Sequence, residues 1–470
     1  PTIMQAADSD EFRDHLATVG EDGKRKWLYP KRPKGNFYTA RTIVSYVLLA
    51  FFILAPFIYL GGEQLLLFNL PERKFVLFGS IFYAHDFKYF MFAMITGVVS
   101  IAIFTLIFGR LFCGWICPQT IFMEMLFRKI EYFIEGDAGA QKALNAAPMS
   151  GKKFAKKAAK HAIFFALSFG VSNLFLAYII GSEALLGIIT DPPKAHWVGL
   201  LMITLFSFVF YGVFMFLREQ VCTTICPYGR LQGVLLDKNS LVVAYDYQRG
   251  EERGKIRKNE DRKLALKGDC IDCFQCVQVC PTGIDIRNGT QLECTNCTAC
   301  IDACNMMMDA VGLERGLIRY ASEESIKKRE KFRFTPRVWL FSAILLLFVS
   351  AFFYLLYARD SVSFKLIRAS SVAVHATADG RVGNTFNYTI YNNTNRTRPL
   401  RFQLESHTGT VSLAGNNTPT LTAGGNLSGA LVVAIDKTQV KERKTAISIG
   451  VYDTLTGEKL DVHQTFFLSE

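Results

Sequence analysis

Five long apolar stretches free of charged residues divide the chain. They run over 42–60, 89–108, 162–180, 197–217 and 338–357. About 20 apolar residues cross the hydrocarbon core of a bilayer, so each stretch is long enough to span it as a helix. One such stretch would also suit a buried core helix, but five in one chain predict a membrane protein with five transmembrane helices.

Two shorter apolar pieces carry charges and are interpreted differently. Segment 64–83 contains three consecutive charged residues at 72–74, so it is expected to form an interfacial or re-entrant element on the outer side of the membrane. Segment 121–134 alternates apolar and charged residues with the period of a helix. That pattern predicts an amphipathic helix lying on the inner membrane surface.

The chain after residue 357 changes character. Thr, Asn, Gly and Val become common, and runs with alternating apolar residues are separated by turn residues; the runs cover 385–391, 400–405, 430–435, 446–452 and 462–467. This rhythm predicts an antiparallel β-sandwich. The tail contains no cysteine, so no disulfide is expected between its sheets. The charged segment 245–268 is expected to be a flexible linker.

The positive charge is unevenly distributed. Lys and Arg number 53 against 41 Asp and Glu, a formal net charge of +12, and the basic residues concentrate in segments 1–41, 109–160 and 218–337. Because basic loops favour the cytoplasmic side, those three segments are expected inside and the tail outside. The first forty residues lack the apolar core of a signal peptide. Membrane orientation thus explains the basic balance, and no nucleic-acid partner is expected.

Eight of the twelve cysteines form a duplicated pattern. Each of Cys270, Cys273, Cys276 and Cys280 has a counterpart twenty-four positions later. Three thiolates two residues apart can wrap one face of a [4Fe–4S] cube, and in two-cluster ferredoxins the fourth cysteine of each run ligates the other cluster. The predicted ligands of the first cluster are Cys270, Cys273, Cys276 and Cys304, and those of the second are Cys294, Cys297, Cys300 and Cys280. Two zinc sites are the alternative, although zinc usually prefers separated cysteine pairs.

The other four cysteines form a second repeat. The strings "CGWICP" and "CTTICP" place Cys-x3-Cys-Pro after the second and the fourth apolar stretch. The repeat suggests that two helix pairs, related by duplication, bring the motifs together. Each proline suits the first position of a helix, so the preceding cysteine would lie at a helix N-terminus, where the dipole lowers the pKa of a thiol. Arg110 and Arg218, which precede the motifs, would act in the same direction.

Four such thiolates would be a candidate redox or copper site. Soft sulfur ligands prefer Cu(I), whereas Cu(II) prefers harder donors, so the site would favour the reduced ion. The candidate residues are Cys113, Cys117, Cys222 and Cys226. From the residues alone, copper binding, disulfide formation and another cofactor remain open.

The combination resembles the cytochrome c oxidase accessory protein family, called CcoG, FixG or RdxA. The resemblance is carried by the strings "FCGWICPQT", "CTTICPYGRLQG", "CIDCFQCVQVCPTGIDIRNGTQLECTNCTACIDAC" and "GLIRYAS". It implies a multidomain membrane protein: a helical bundle of five transmembrane helices, an inserted ferredoxin module with two [4Fe–4S] clusters, and a C-terminal immunoglobulin-like sandwich. The expected division is a cytoplasmic segment 1–41, a four-helix membrane domain 42–240, a cytoplasmic ferredoxin-like domain 241–337, a fifth helix 338–357 and a periplasmic immunoglobulin-like domain 358–470.

The resemblance also implies a function. It suggests a bacterial inner-membrane oxidoreductase that reduces Cu(II) to Cu(I) for assembly of cbb3-type cytochrome oxidase. The implied partners are the lipid bilayer, copper ions or a copper chaperone, oxidase assembly factors and a cytoplasmic electron donor that the family does not identify. Two alternatives stay open: a quinol-linked membrane ferredoxin that relays electrons to a respiratory reductase, and a non-enzymatic assembly scaffold.

Overall fold

The computed structural model packs the chain as two compact units, 1–57 with 93–350 and 58–92 with 351–470. It describes residues 18–20, 22, 24–72, 74–83, 87–256, 262, 264–329, 336–369, 375–376, 381–394, 396–413, 419–440 and 443–469. Residues 1–17 of the predicted cytoplasmic segment, 330–335 of the predicted ferredoxin-like domain and most of 257–263 of the predicted linker lie outside this set.

Among the described residues, five helices are long and apolar enough to cross a membrane, as the hydropathy pattern predicts. They are Asn36–Phe57, Tyr89–Phe108, Gly151–Ile180, Trp197–Leu217 and Val338–Tyr357, called spans 1 to 5. Span 1 begins six residues before its predicted start, and span 3 begins eleven residues before. A helix needs only continuous backbone hydrogen bonds, so the lysine-rich sequence before residue 162 extends span 3 although it is too polar for a bilayer.

Span 1 begins without a capping side chain of its own, because Gly35 stands at its N-cap. The cap comes from Asp302, which lies in the ferredoxin-module helix Ala299–Val311. The backbone N–H groups of Phe37 and Tyr38 donate to the two carboxylate oxygens of Asp302, at 3.2 and 2.7 Å. A carboxylate at this position satisfies free N–H groups and complements the helix dipole. The ferredoxin module therefore completes the first spanning helix.

The residues before span 1 tie the module to the membrane domain. The backbone N–H of Lys31 donates to the Gln278 carbonyl at 2.8 Å, and that of Arg32 donates to the Asp137 carboxylate at 2.8 Å. The Tyr132 hydroxyl donates to the Pro30 carbonyl. Gln278 belongs to the ferredoxin module, whereas Tyr132 and Asp137 lie after the first Cys-x3-Cys-Pro motif. Residues 30–32 thus form a strap between the two parts.

The predicted amphipathic helix over 121–134 exists, but its charged side faces the protein. It consists of the π-helix Ile121–Phe127 followed by the α-helix Arg128–Glu135. Glu131 is 3% exposed, whereas Phe133 is 91% exposed. The charged side of the helix is therefore buried, because its charges find partners on neighbouring elements.

Those partners form a buried ionic network. Glu131 accepts from Arg218 at 2.6 Å and pairs with Lys160 at 3.2 Å. Burial alone would raise the pKa of Glu131, but the attraction of Arg218, with Lys160 and Arg128, lowers it to about 2. The carboxylate is therefore ionised at neutral pH. Such a network keeps its charges only because each has an opposite partner.

Shorter elements connect the spans and build the ferredoxin module. The two-stranded sheet of the module pairs Val242–Tyr245 with Ile318–Ala321 in antiparallel register, with Val242 opposite Ala321. The further helices are Leu111–Trp115, Pro118–Thr120, Ala138–Ala146, Ser182–Thr190, Val221–Ile225, Pro227–Leu235, Tyr247–Gly250, Gln275–Gln278, Ile286–Asn288 and Glu323–Lys328.

The described part of the expected linker 245–268 is ordered by secondary structure and hydrogen bonds. Its first residues complete a strand and the short helix Tyr247–Gly250. Arg262 then donates hydrogen bonds to the carbonyls of Gly254 and Cys270, at 3.1 and 3.0 Å. Charge composition predicted flexibility because it does not reveal which carbonyls an arginine meets.

The segment 64–83 forms strands, which the interfacial or re-entrant prediction did not foresee. Leu66–Asn69, Lys74–Leu77 and Ser80–Tyr83 make a three-stranded antiparallel sheet. Leu67, Val76 and Ile81 form its buried apolar cluster. Glu72 lies in the turn after the first of these strands and Lys74 begins the second, so neither interrupts the buried apolar cluster.

The C-terminal sandwich is confirmed. One sheet is ordered Gly409–Leu413, Asn426–Ile435, Val382–Asn392, Val362–Arg368, and the other Thr420–Leu421, Arg398–Leu404, Lys444–Asp453, Lys459–Leu468. Each of the five runs predicted from alternation coincides with one of these strands. Alternate residues such as Phe386, Ile390, Val433 and Ile449 meet in one core, as expected for inner faces of packed sheets.

The Asp302 cap can be tested by substitution. Asp302→Ala should lower the free energy of unfolding by about 1 kcal/mol, because span 1 loses its only side-chain cap among the described residues. The measurement is the guanidinium midpoint at which cluster absorbance disappears, in detergent under anaerobic conditions. Asp309→Ala is the matched control, because Asp309 lies in the same helix and pairs with Arg315 at the surface. Equal midpoints for the two variants would contradict the capping role.

Candidate functional site

One cavity in the ferredoxin module is surrounded by the first predicted cysteine set. Its cysteines are Cys270, Cys273, Cys276 and Cys304. Tyr245, Phe274, Met307 and Leu317 contribute to the remaining wall. We call it the first-cluster cavity. The fourth cysteine, Cys304, comes from the second sequence run, which is the exchange that the ferredoxin-like spacing predicts.

A neighbouring cavity is surrounded by the second set. Its sulfur-bearing residues are Cys280, Cys294, Cys297 and Cys300, with Cys276 shared between the two cavities. The wall also includes Val243, Thr282, Thr295 and Thr298. We call it the second-cluster cavity. Cys280 comes from the first run, so the exchange is reciprocal and places the cavities side by side.

The donor sets fit [4Fe–4S] clusters. Each predicted set supplies four thiols to its cavity, which is the ligand set that these clusters use. Burial raises the pKa of Cys276, Cys294 and Cys304 to about 12 and that of Cys280 to about 11. Such thiols lose their protons only when a positive centre compensates the charge, and bound iron supplies that charge. Ligation by these individual residues stays a prediction.

Within the described part of the chain, no three His, Cys, Asp or Glu side chains converge on a point suited to a single metal ion. All twelve cysteines are free thiols. The disulfide that the sequence left open for the Cys-x3-Cys-Pro motifs is thus not formed in this structure.

Both Cys-x3-Cys-Pro motifs end at a helix start, as predicted. Cys117 is the N-cap residue before Pro118, and Cys226 is the N-cap residue before Pro227. Proline at the first helical position is pre-organised for this turn and has no N–H to leave unpaired. The local sequence therefore places the second cysteine of each motif at the N-terminus of a helix.

The two motifs come together. The pKa of Cys113 is affected by Cys117 and Cys226, and that of Cys222 by Cys113 and Cys117, so all four thiols lie within electrostatic reach of one another. Burial raises the pKa of Cys113 and raises that of Cys222 to about 12, while the charge of Arg110 opposes both shifts. These two thiols are therefore neutral at neutral pH and would lose their protons on binding a soft cation.

The first motif packs directly on the second-cluster cavity. A Cβ atom at Gly114, the residue after Cys113, would lie 2.5 Å from the Thr295 carbonyl oxygen and 2.9 Å from that of Asn296. Thr295 is itself part of the second-cluster cavity wall. Only glycine allows this approach. The backbone of the first motif is thus in direct contact with the wall of the second-cluster cavity.

Arg110 lies at the same junction, 3% exposed. Its Nε donates to Gln232 Oε1 at 2.9 Å, and its Nη1 donates to the Leu292 carbonyl. The Cys113 thiol donates to the same Gln232 oxygen at 3.2 Å. Burial raises the pKa of Cys294, as it does those of Cys113 and Cys222, and the charge of Arg110 opposes the rise at all three thiols. One buried cation therefore acts on both sulfur groups.

The structure corrects one expected role and adds residues that the sequence did not suggest. Arg218 turns away from Cys222 and binds Glu131, while its guanidinium stacks on Trp27 at 4.7 Å. Gly114 and Gln232 were not anticipated. Their one available signal is position, since Gly114 lies inside the first motif and Gln232 lies on the helix that follows the second.

Three family models match the chain. A "4Fe-4S dicluster domain" matches 217–323, an "IG-like fold at C-terminal of FixG" matches 352–469, and a "4Fe-4S binding domain" matches 90–135. The last of these covers the first Cys-x3-Cys-Pro motif. The matches agree with the ferredoxin module and the sandwich described above.

Curated relatives extend the likeness along the chain. The chain is 31% identical to Protein RdxA of Cereibacter sphaeroides over 81% of this chain and 83% of that protein. It is 30% identical to Protein RdxB of the same organism over 94% of this chain and 96% of that protein. It is 38% identical to Nitrogen fixation protein FixG of Rhizobium meliloti over 64% of this chain, and the match spans 58% of that protein's length.

The fourth cysteine of each run lines the cavity of the other run. This exchange predicts which cysteine substitutions alter the spectrum of the same cluster. Cys304→Ser should alter the same electron paramagnetic resonance signal as Cys270→Ser, because both residues surround the first-cluster cavity. Cys280→Ser should alter the same signal as Cys294→Ser. Low-temperature spectra of the four reduced single variants provide the measurement, with iron content determined in parallel. Pairing of Cys304→Ser with Cys294→Ser instead would contradict the exchange.

Proposed function

Because the chain belongs to the FixG/RdxA family of membrane iron–sulfur electron-transfer proteins, we propose that it is a cupric reductase, which reduces Cu(II) to Cu(I) for assembly of a cbb3-type cytochrome oxidase. The observation that supports this most is the packing of Gly114 on the backbone of Thr295 and Asn296. It sets four soft thiols beside the second-cluster cavity. Electrons held at that cavity therefore have a short path to an ion bound by the thiols.

The thiols provide the substrate site. In this proposal Cys113, Cys117, Cys222 and Cys226 move closer together as they bind Cu(II), since no three of them converge on one point in this structure. The protons of Cys113 and Cys222 leave as the ion binds. Soft sulfur ligands stabilise Cu(I) relative to Cu(II), so they favour acceptance of one electron per ion. Iron–sulfur clusters, when bound, supply that electron singly, which matches the one-electron reduction.

The chain's own residues arrange this transfer. Arg110 places a fixed positive charge between the two sulfur groups, where it favours thiolates on both sides. The Oε1 atom of Gln232 accepts hydrogen bonds from both Arg110 and the Cys113 thiol, which fixes their relative positions. The low polarity of the buried site strengthens these charge effects. Arg110 and Gln232 are therefore positioning residues in this proposal.

The orientation follows from the charge distribution. Basic segments favour the cytoplasmic side, so the N-terminus and ferredoxin module would lie in the cytoplasm and the sandwich in the periplasm of a bacterial inner membrane. Copper would arrive as an ion or on a chaperone, and the reduced ion would pass to oxidase assembly factors. A sandwich without readable chemistry suits a role in contacting such factors.

The copper role of the thiols is tested by replacing one cysteine in each motif. The Cys113→Ser/Cys222→Ser variant should keep its cluster absorbance and lose more than nine-tenths of its cupric reduction with dithionite as electron source. Thr224→Ser is the matched control, because Thr224 lies between Cys222 and Cys226 with an exposed side chain. Formation of Cu(I) is followed with a Cu(I)-specific chelator.

Metal content separates copper chemistry from a further cluster. Two [4Fe–4S] clusters require about eight irons per chain, and the double variant should keep all of them. A wild-type content of about twelve irons, with about four lost in the double variant, would assign the four thiols to iron. Full cupric reduction by the double variant would also remove the proposed role.

The contact between the motif and the cavity is tested at Gly114. Gly114→Ala should slow cupric reduction while the cluster spectrum is kept, because the added Cβ pushes the Thr295–Asn296 backbone away. Overpacking of this kind costs about 1–3 kcal/mol of stability. Gly139→Ala is the matched control, since its Cβ would meet nothing within 4 Å. An unchanged rate in Gly114→Ala, with the stability loss present, would exclude this contact as the electron path.

A further inference from the structure

The loop before the first cluster cysteine is built around one arginine. Arg262 donates from Nε to the Gly268 carbonyl at 2.9 Å, and from Nη2 to the Cys270 carbonyl at 3.0 Å. The Gly254 N–H donates to the same Cys270 carbonyl at 3.1 Å. The base of the loop is therefore hydrogen-bonded to Cys270, a residue of the first-cluster cavity.

The described tip of this loop presents apolar side chains to solvent. Leu264 and Leu266 are each 84% exposed, and Ile256 is 48% exposed. Exposed leucines next to an ordered base are unfavourable in water unless another surface covers them. Clusters of this kind, surrounded by polar residues, mark interaction sites.

The described residues near these leucines in sequence carry a net positive charge. The described part of segment 249–268 contains five basic and two acidic residues, for a formal charge of +3. Lys255 is exposed beside Ile256. An apolar centre with a basic surround attracts a partner with an acidic surround, and the attraction accelerates encounter more than it strengthens binding.

A second exposed apolar group belongs to the same cavity. Phe274, between Cys273 and Cys276, is part of the cavity wall and is 45% exposed. Arg287 stacks on its ring at 4.2 Å. The backbone carbonyl of Arg287 in turn accepts from Arg253 of the loop at 3.0 Å. Loop and cavity wall are thus linked by contacts as well as by sequence.

We propose that this surface, defined by Ile256, Leu264, Leu266 and Phe274, is the docking site for a small acidic electron-carrier protein that reduces the first cluster. The inference rests on the proposed electron-transfer function and adds the class of donor and the place where it binds. It also sets a direction: electrons enter at the first-cluster cavity and leave from the second, where Gly114 meets Thr295. The carrier loses one electron and the first cluster gains it.

The hydrogen bonds to Cys270 favour a redox partner over a lipid surface. Because the docking loop is hydrogen-bonded to Cys270 beside the first cluster, a partner bound to the loop has its cofactor close to that cluster. Electron transfer requires such proximity. Membrane attachment needs no such link. The five spans already anchor the chain.

The test uses the full-length protein in lipid nanodiscs, with its clusters, and flavodoxin hydroquinone as the acidic one-electron probe. Stopped-flow absorbance gives the second-order rate constant of cluster reduction. Leu264→Ser/Leu266→Ser should lower this constant at least tenfold, and Lys255→Glu should lower it and weaken its decrease with salt. Reduction by dithionite should be unchanged in both variants, because a small reductant needs no docking surface.

Leu455→Ser is the matched control, since Leu455 is an 80% exposed leucine of the sandwich. A rate constant with flavodoxin that is the same in wild type and Leu264→Ser/Leu266→Ser would overturn the proposal. So would a wild-type rate that does not depend on salt. Strong quenching of Leu264→Trp fluorescence by brominated lipids would assign the loop to the membrane instead. Failure of the dithionite-reduced wild type to reduce Cu(II) would refute the cupric reductase function. The docking test would still be valid, because it measures reduction of the clusters and not of copper.

Discussion

The packing of Gly114 on the Thr295–Asn296 backbone is the contact on which the electron-transfer architecture depends. Without it, the four motif thiols and the eight cysteines of the ferredoxin module would be two unrelated sulfur groups. Glycine is required because any side chain would overlap backbone atoms that also shape the second-cluster cavity. The smallest residue of the first motif therefore sets how closely the motif approaches the second-cluster cavity.

Buried charges hold this junction in place. Arg110 joins the Gln232 side chain to the Leu292 carbonyl, and Asp302 caps the first spanning helix from within the ferredoxin module. Farther along, Glu131 binds Lys160 and Arg218. A buried charge is costly unless it is paired, and losing one partner costs more than the pair contributes. These contacts therefore specify one arrangement of module and helices more strongly than they stabilise it.

The sequence predicted the helices and strands better than it predicted what their side chains contact. The five spans and the five sandwich runs are present because each follows from a periodic pattern confined to about 20 residues or fewer. The strands of segment 64–83 were not predicted, because the charges at 72–74 divide its short apolar runs. The helix Arg128–Glu135 was recognised, but its sequence did not reveal that its charged side is buried. Amphipathic period alone cannot distinguish a solvated charged face from one that is buried against opposite charges.

The candidate site divides in the same way. Cysteine spacing alone predicted two interlocked sets of four thiols and two further thiol pairs, because ligand spacing within a loop is a local property of the chain. Only the tertiary structure showed that Gly114 meets Thr295, that Arg110 acts on both sulfur groups and that Arg262 fastens an exposed loop to Cys270. Arg110 and the Leu292 carbonyl are 182 residues apart in sequence. No local pattern encodes a partner at that distance, since the partner is selected only when the helices and the module pack together.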